Sequence, residues 1–256
     1  MKSFLLSLSL ILFTTSITHA RALSVTVCYP LISHPPYFLG QGIKIPPKGQ
    51  RGSIVNAIDE AASQNDINVN WIRLPWKRCL VQLFAGEIDS VATSVYRPQW
   101  EPNVVFPSKS DGNLDENRSV GQANYHYYQH KQYSMDRVNT DILSRQPLRI
   151  GSPRGYAVTD LLKNNGMKII ENLDPIKGFQ RVFNGQLDRY VFGEEMVKPI
   201  LDDMGEAGAS IMRVDPPILT THVYIPLHAY TYAQDAKRFE KFWTDLASIR
   251  KNQVLP

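Results

Sequence analysis

The chain lacks most of what marks a metal, redox or nucleic-acid protein. Among its 256 residues only two are cysteine and six are histidine. So few soft and imidazole ligands argue against a structural zinc site. His126 and His130 stand four apart, but Tyr127 and Tyr128 between them suit an extended segment, and no third ligand is evident. The basic residues are dispersed and the formal net charge is +4, a solvated surface rather than a track for nucleic acid or anionic lipid. Neither a phosphate loop nor a Gly-x-Ser-x-Gly elbow occurs. No cofactor is expected. Long apolar runs are also missing after the first residues, where a bilayer span would need about 20.

Those first residues carry a signal of their own. Lys2 is followed by an apolar run from Phe4 to Phe13, then by small and polar residues up to Ala20 and Ala22. A positive start, a short apolar stretch and small residues at a cleavage point make a secretory signal peptide. Residues 1–22 are therefore set apart from the fold, and the rest is expected in the periplasm. Cys28 follows the bulky Val27, unlike a lipid-attachment site. In an oxidising compartment Cys28 and Cys79 are a candidate disulfide. The bridge would close a loop of about 50 residues and contribute roughly 4 kcal/mol on the chain-entropy model. The alternative is two buried thiols.

An internal echo organises what remains. Leu83-Phe84-Ala85-Gly86-Glu87-Ile88-Asp89 resembles Val182-Phe183-Asn184-Gly185-Gln186-Leu187-Asp188. Each copy ends an apolar helical stretch, meets a glycine suited to the left-handed position past a helix end, and continues as an apolar strand. Upstream, Leu23 to Tyr29 alternates as a strand; Ile54, Val55, Ile58, Ala61 and Ala62 form a helical stripe; Val69 to Leu74 is the next strand. The second half repeats the order with Leu148 to Gly151, a helix marked by Val158, Leu161 and Leu162, and Met167 to Ile170. Each half is thus β-α-β-α-β, an α/β lobe with a mostly parallel sheet flanked by helices. Pro107 to Gln122 reads as a loop, Tyr125 to Tyr133 as an extended segment, His222 to Pro226 as a strand and Asp235 to Lys251 as a helix. Residues 23–122 with 228–256 make one lobe and 123–227 the other. Two such lobes place a ligand between them, beyond the carboxyl ends of the strands. Asp89 and Asp188, which hold equivalent places in the two copies, are expected to be structural rather than a catalytic pair.

The residues resemble a known family. Pro35-Pro36-Tyr37, the Gly52-led helix, Leu74-Pro75-Trp76, Thr93 to Arg97 and the Arg154-Gly155-Tyr156 turn together resemble the bacterial extracellular solute-binding proteins of family 3. The resemblance implies the type II periplasmic-binding-protein-like fold, with two lobes that close by a hinge on a small polar, carboxylate-bearing, amino-acid-like solute. It also implies a monomer that hands its cargo to a membrane transporter permease, without turnover. Arg97 would grip the ligand carboxylate through its planar fork of donors, with Thr93 and Ser94 beside it. Tyr37 and Trp76 would supply flat walls. Arg154, Gly155, Tyr156 and Thr159 cover a strand-to-helix turn whose free N–H groups suit an anion. Family members that bind amino acids place an aspartate where this chain has Gly193, so one of the neighbouring carboxylates Glu194 and Glu195, with Glu194 the first choice, would take the ammonium group after a one-residue shift. Two alternatives keep the same cleft: a periplasmic dehydratase of cyclic carboxylates, with Glu194 moving the proton, and a soluble sensor subunit for a membrane kinase.

Overall fold

The computed structural model describes residues 23–132, 148–172 and 174–252. The expected signal peptide lies outside the described residues. Two separate sheets each carry their own core.

The first sheet has the order β2-β1-β3-β11-β5. Its centre is β1 (Leu23–Pro30), flanked in parallel by β2 (Ile67–Leu74) and β3 (Ser90–Val91). Alternation along β1 decides what each face meets. Val25, Val27 and Tyr29 point to the core shared with helix α1 (Ser53–Ser63). Cys28 points the other way, to helix α2 (Trp76–Ala85). There Cys28 and Cys79 are joined in a disulfide with Cα atoms 5.7 Å apart. Strands β5 (Val104–Val105) and β11 (Leu227–His228) close the far edge in antiparallel fashion.

The second sheet has the order β4-β10-β6-β9-β7-β8. Here β7 (Ile150–Pro153) is the central strand of a parallel trio with β8 (Ile169–Asn172) and β9 (Arg189–Gly193). Helix α3 (Ala157–Asn164) covers one face, while α4 (Pro175–Phe183) and α5 (Glu194–Asp203) cover the other. A short helix α6 (Glu206–Ala209) follows. Gly86 and Gly185, the helix-ending glycines of the echo, both sit at positive φ, 72° and 67°. The parallel trios are the β-α-β-α-β modules read from the sequence. The antiparallel strands come from the crossovers, which alternation alone does not specify. Both sheets are therefore mixed.

The chain passes between the two sheets four times. Strand β4 (Ser94–Val95) leaves the first lobe to pair with the end of β10, Val223 and Tyr224. β6 (Gly121–His130) and β10 (Ile211–Tyr224) are the long strands of the second sheet, and β10 returns directly to β11. The sequence suggested a strand only over His222 to Pro226. In the fold that segment is the end of a 14-residue strand whose pairing with β6 is interrupted between Val214 and Leu219. Asp215-Pro216-Pro217 masks the pattern there, because proline cannot donate to a ladder. Helix α7 (Ala229–Gln234) then leads to the last helix, α8 (Ala236–Asn252). Phe239, Phe242, Trp243 and Leu246 of α8 are buried against α1 in the first lobe. The Trp243 indole N–H donates to the Ile225 carbonyl at 2.7 Å. Among the described residues no helix is long and apolar enough to cross a membrane.

Candidate functional site

A cavity of about 320 Å³ opens between the two lobes. Tyr37, Trp76, Thr93, Ser94 and Arg97 line it from the first lobe and its crossing; Tyr125, Tyr156 and Glu195 line it from the second.

Tyr37 is delivered by the start of α1. The N–H groups of Ser53 and Ile54 donate to the carbonyls of Pro36 and Tyr37, so the loop itself satisfies part of the helix's unpaired first turn. The fit requires glycine at the cap. Gly52 has φ 100°, and a Cβ there would lie 2.4 Å from the Tyr37 carbonyl oxygen. Trp76 opens α2 directly after Pro75, and its half-buried ring forms another wall. Thr93 and Ser94 sit where the chain leaves the first sheet.

Arg97 is 8 % exposed and joins the lobes directly. Its Nη1 donates to Asp160 of α3 at 2.8 Å, and its Nη2 donates to the Gly155 carbonyl at 2.6 Å. The guanidinium also stacks over Trp100, 5.0 Å from the ring centroid. Both terminal nitrogens of the expected carboxylate grip are therefore engaged by the opposite lobe. Burial holds the Arg97 pKa below its ordinary value, against the pull of Asp160.

The remaining expected residues divide. Tyr156 lines the cavity and tilts against Phe192; burial raises its phenol pKa. Gly155 is not among the lining residues; its carbonyl accepts from Arg97. Thr159 is buried behind the wall, donating to the Pro153 carbonyl at 2.7 Å and bonded to Ser152 at the same distance. Arg154 points to the outer surface, where it pairs with Glu171 at 3.2 Å. Glu194 faces away from the cavity, toward Arg213 and toward His126 at 3.4 Å. One step along the helix turns the side chain by about 100°, and Glu195 takes the inward direction instead. Its Oε1 accepts from the Asn124 backbone N–H at 2.8 Å and from the Asn124 amide at 3.1 Å. Burial raises the Glu195 pKa above the usual carboxylate value, with the Asn124 backbone bond opposing.

Several cavity residues had no place in the sequence reading. Tyr125 is 5 % exposed, and burial first and Glu195 second push its pKa to about 12. His34 lines the first-lobe wall, and burial with the nearby Arg73 lowers its pKa to about 4. Arg250 enters from the end of α8. The signal for Arg250 was present: it continues the buried stripe Phe239, Trp243, Leu246 at helical spacing, and a cation at the end of such a stripe faces inward.

No protein-family model and no curated protein sequence matches the chain. Solved structures do. A histidine kinase sensor domain with similarity to periplasmic binding proteins superposes with a TM-score of 0.64 at 14% identity, covering 90% of this chain and 91% of that one. The GluR0 ligand-binding core from Nostoc punctiforme, in complex with L-glutamate, gives 0.62 at 13% identity over 89% and 93%. An ancestral amino acid-binding protein, a precursor of cyclohexadienyl dehydratase, gives 0.61 at 14% identity over 90% of each chain. The chain has the two-lobed periplasmic-binding-protein-like fold.

Proposed function

We propose that the chain is a periplasmic solute-binding protein that captures a small polar solute in the interlobe cavity and passes it to a membrane transporter. One observation carries this reading: a single cavity takes its walls from both lobes. Only a closed arrangement lets both sets of walls touch one ligand, so binding favours closure. The mixture of aromatic walls with a few charged groups suits a compact solute that has an apolar body and polar ends. Glu195 replaces Glu194 as the carboxylate that meets a positive or hydrogen-bond-donating end. The test is a thermal-shift screen of the mature protein against amino acids and small carboxylates. A true ligand at 100 times its dissociation constant should stabilise by about 2.7 kcal/mol. A flat response across the whole panel would remove this function.

The sensor reading shares the same binding step and gains support from the similarity to a kinase sensor domain. Affinity capture from membranes separates the two, since a transporter permease or a membrane kinase would be retained. A dehydratase reading has one favourable observation, the inward carboxylate of Glu195 with its raised pKa, as a general acid requires. Release of product from arogenate or prephenate tests it, and tight binding without turnover argues against it.

A further inference from the structure

Two arginines reach the cavity, and they are not equivalent. Arg97 has both terminal nitrogens bonded across the lobes, to Asp160 and to the Gly155 carbonyl. Arg250 has a single fixed bond, from Nε to the Val120 carbonyl at 2.9 Å. Its Nη1 is out of contact with solvent and has no hydrogen-bond partner among the described residues. Among the described residues no carboxylate is in ion-pair contact with Arg250, and the group whose charge bears on it is the Tyr37 phenol. A buried charged donor without an acceptor is costly to maintain. Arg97 leaves one too, its Nε, but its terminal fork is taken, whereas Arg250 is bonded among the described residues through Nε alone. The backbone bond fixes the guanidinium, so little orientational freedom remains to be lost when an anion arrives. Arg250 brings positive charge to the cavity from the first lobe and Glu195 brings a carboxylate from the second, and the Tyr37 phenol feels both.

We infer that Arg250 is the anion-binding residue of this cleft, and that Arg97 serves as the clasp between the lobes. This rests on the solute-binding reading above. The ligand class it defines is a compact solute with a carboxylate at the Arg250 end and a donor group at the Glu195 end. Its body packs on Tyr37, Trp76 and Tyr156.

The experiment uses calorimetry on the mature protein and on the Arg250→Met and Arg250→Lys variants. The probes are the L-amino acids, each compared with its own carboxamide, which keeps the shape and removes the acid charge. Wild-type protein should prefer the acid over the amide by at least about tenfold, the scale of a charged hydrogen bond. Arg250→Met should lose that preference, and Arg250→Lys should keep part of it. Loss of preference is a readout that a purely structural role of Arg250 would not move. If the acid and the amide bind wild type alike, or if Arg250→Met keeps the preference, Arg250 is not the anion site and the solute-binding reading stands. If no probe binds wild type, the functional reading falls and this inference with it.

Discussion

The two lobes are copies of one module that solve the same packing problem with different chemistry. Their central strands align through Asp89 and Asp188. Asp89 accepts from the Thr26 N–H at 2.7 Å, and Asp188 accepts from the Arg149 N–H at 2.8 Å. Both carboxylates tie the end of the module to its first strand, the structural role expected for them. From that alignment Cys28 corresponds to Gly151, Cys79 to Gly178 and Val91 to Tyr190. The ladders agree, since Cys28 pairs with Val91 and Gly151 pairs with Tyr190. In the first lobe a disulfide fills the gap between strand and helix, beside a small valine. In the second lobe both cysteine positions are glycine and the Tyr190 ring occupies the gap. A Cβ on Gly178 would lie 2.3 Å from that ring, and one on Gly151 would lie 2.8 Å from it. The ring packs edge-on against Phe179 at 5.0 Å and stacks with Phe192 at 6.3 Å. One lobe constrains its unfolded chain with a covalent bond. The other gains buried aromatic surface in the folded state.

Removing each device tests that contrast. The Cys28→Ala, Cys79→Ala double variant should lose about 4 kcal/mol, the loop-entropy value for a bridge of this span. Urea unfolding of the variant and of reduced wild type should give the same loss. A loss under about 1 kcal/mol would mean that the bridge is not what constrains the first lobe. Tyr190→Val copies the first lobe's small residue into the second lobe without its bridge. The cavity left behind should cost about 3 kcal/mol, again measured by urea unfolding. Further replacement of Gly151 and Gly178 by cysteine should recover part of that loss if the two locks are interchangeable.

The duplication was legible in the sequence because it lies in local signals: helix stripes, helix-ending glycines and alternating strands. Its two solutions to packing were not, because the correspondence of Val91 with Tyr190 emerges only from strand register. The crossing strands were partly hidden as well. β10 is disrupted by Asp215-Pro216-Pro217, and its long pairing with β6 is a tertiary fact. At the site, Tyr37, Trp76, Thr93, Ser94, Arg97 and Tyr156, expected there from strand ends and loop positions, all line the cavity. Sequence does not separate Glu194 from Glu195, because a helix start cannot be phased to a single residue from it; in the fold Glu195 is the one that lines the cavity. Arg250 is hidden in the sequence because it follows the apolar face of the last helix, whose packing alone brings it to the cavity.

Acid should act on the first lobe through its buried histidine. His34 in the first lobe is 3 % exposed and lies near Arg73, so burial and that charge hold it neutral to about pH 4. A folded pKa of about 4 lies below the ordinary histidine value of 6.5. The stabilising contribution of neutral His34 is therefore complete above pH 6.5 and is lost as pH falls toward 4. At about pH 5 the loss should be roughly 2 kcal/mol. His34→Gln should remove that part of the pH dependence in urea unfolding followed between neutral pH and that point. An undiminished slope in the variant would place the acid sensitivity outside His34.

The smallest expected effect concerns the contact that makes the two lobes one device. The Asp160 side chain is 44% exposed where it meets Arg97, whereas the Arg97 side chain is 9% exposed. Solvent around the carboxylate screens the pair, so its direct attraction is worth at most about 1 kcal/mol. Arg97 still has the Gly155 carbonyl as a partner when Asp160 is lost, so its charge does not become an orphan. Asp160→Ala should therefore leave unfolding by urea within about 0.5 kcal/mol of wild type. The closed population should fall by about fivefold relative to the open one, as the upper value of that attraction implies. Small-angle scattering reads the difference as a larger radius of gyration, and ligand saturation should restore the wild-type value. If scattering is unchanged in the variant, the clasp resides in Arg97 and the Gly155 backbone alone. The second lobe then holds the first through its main chain rather than through a charge.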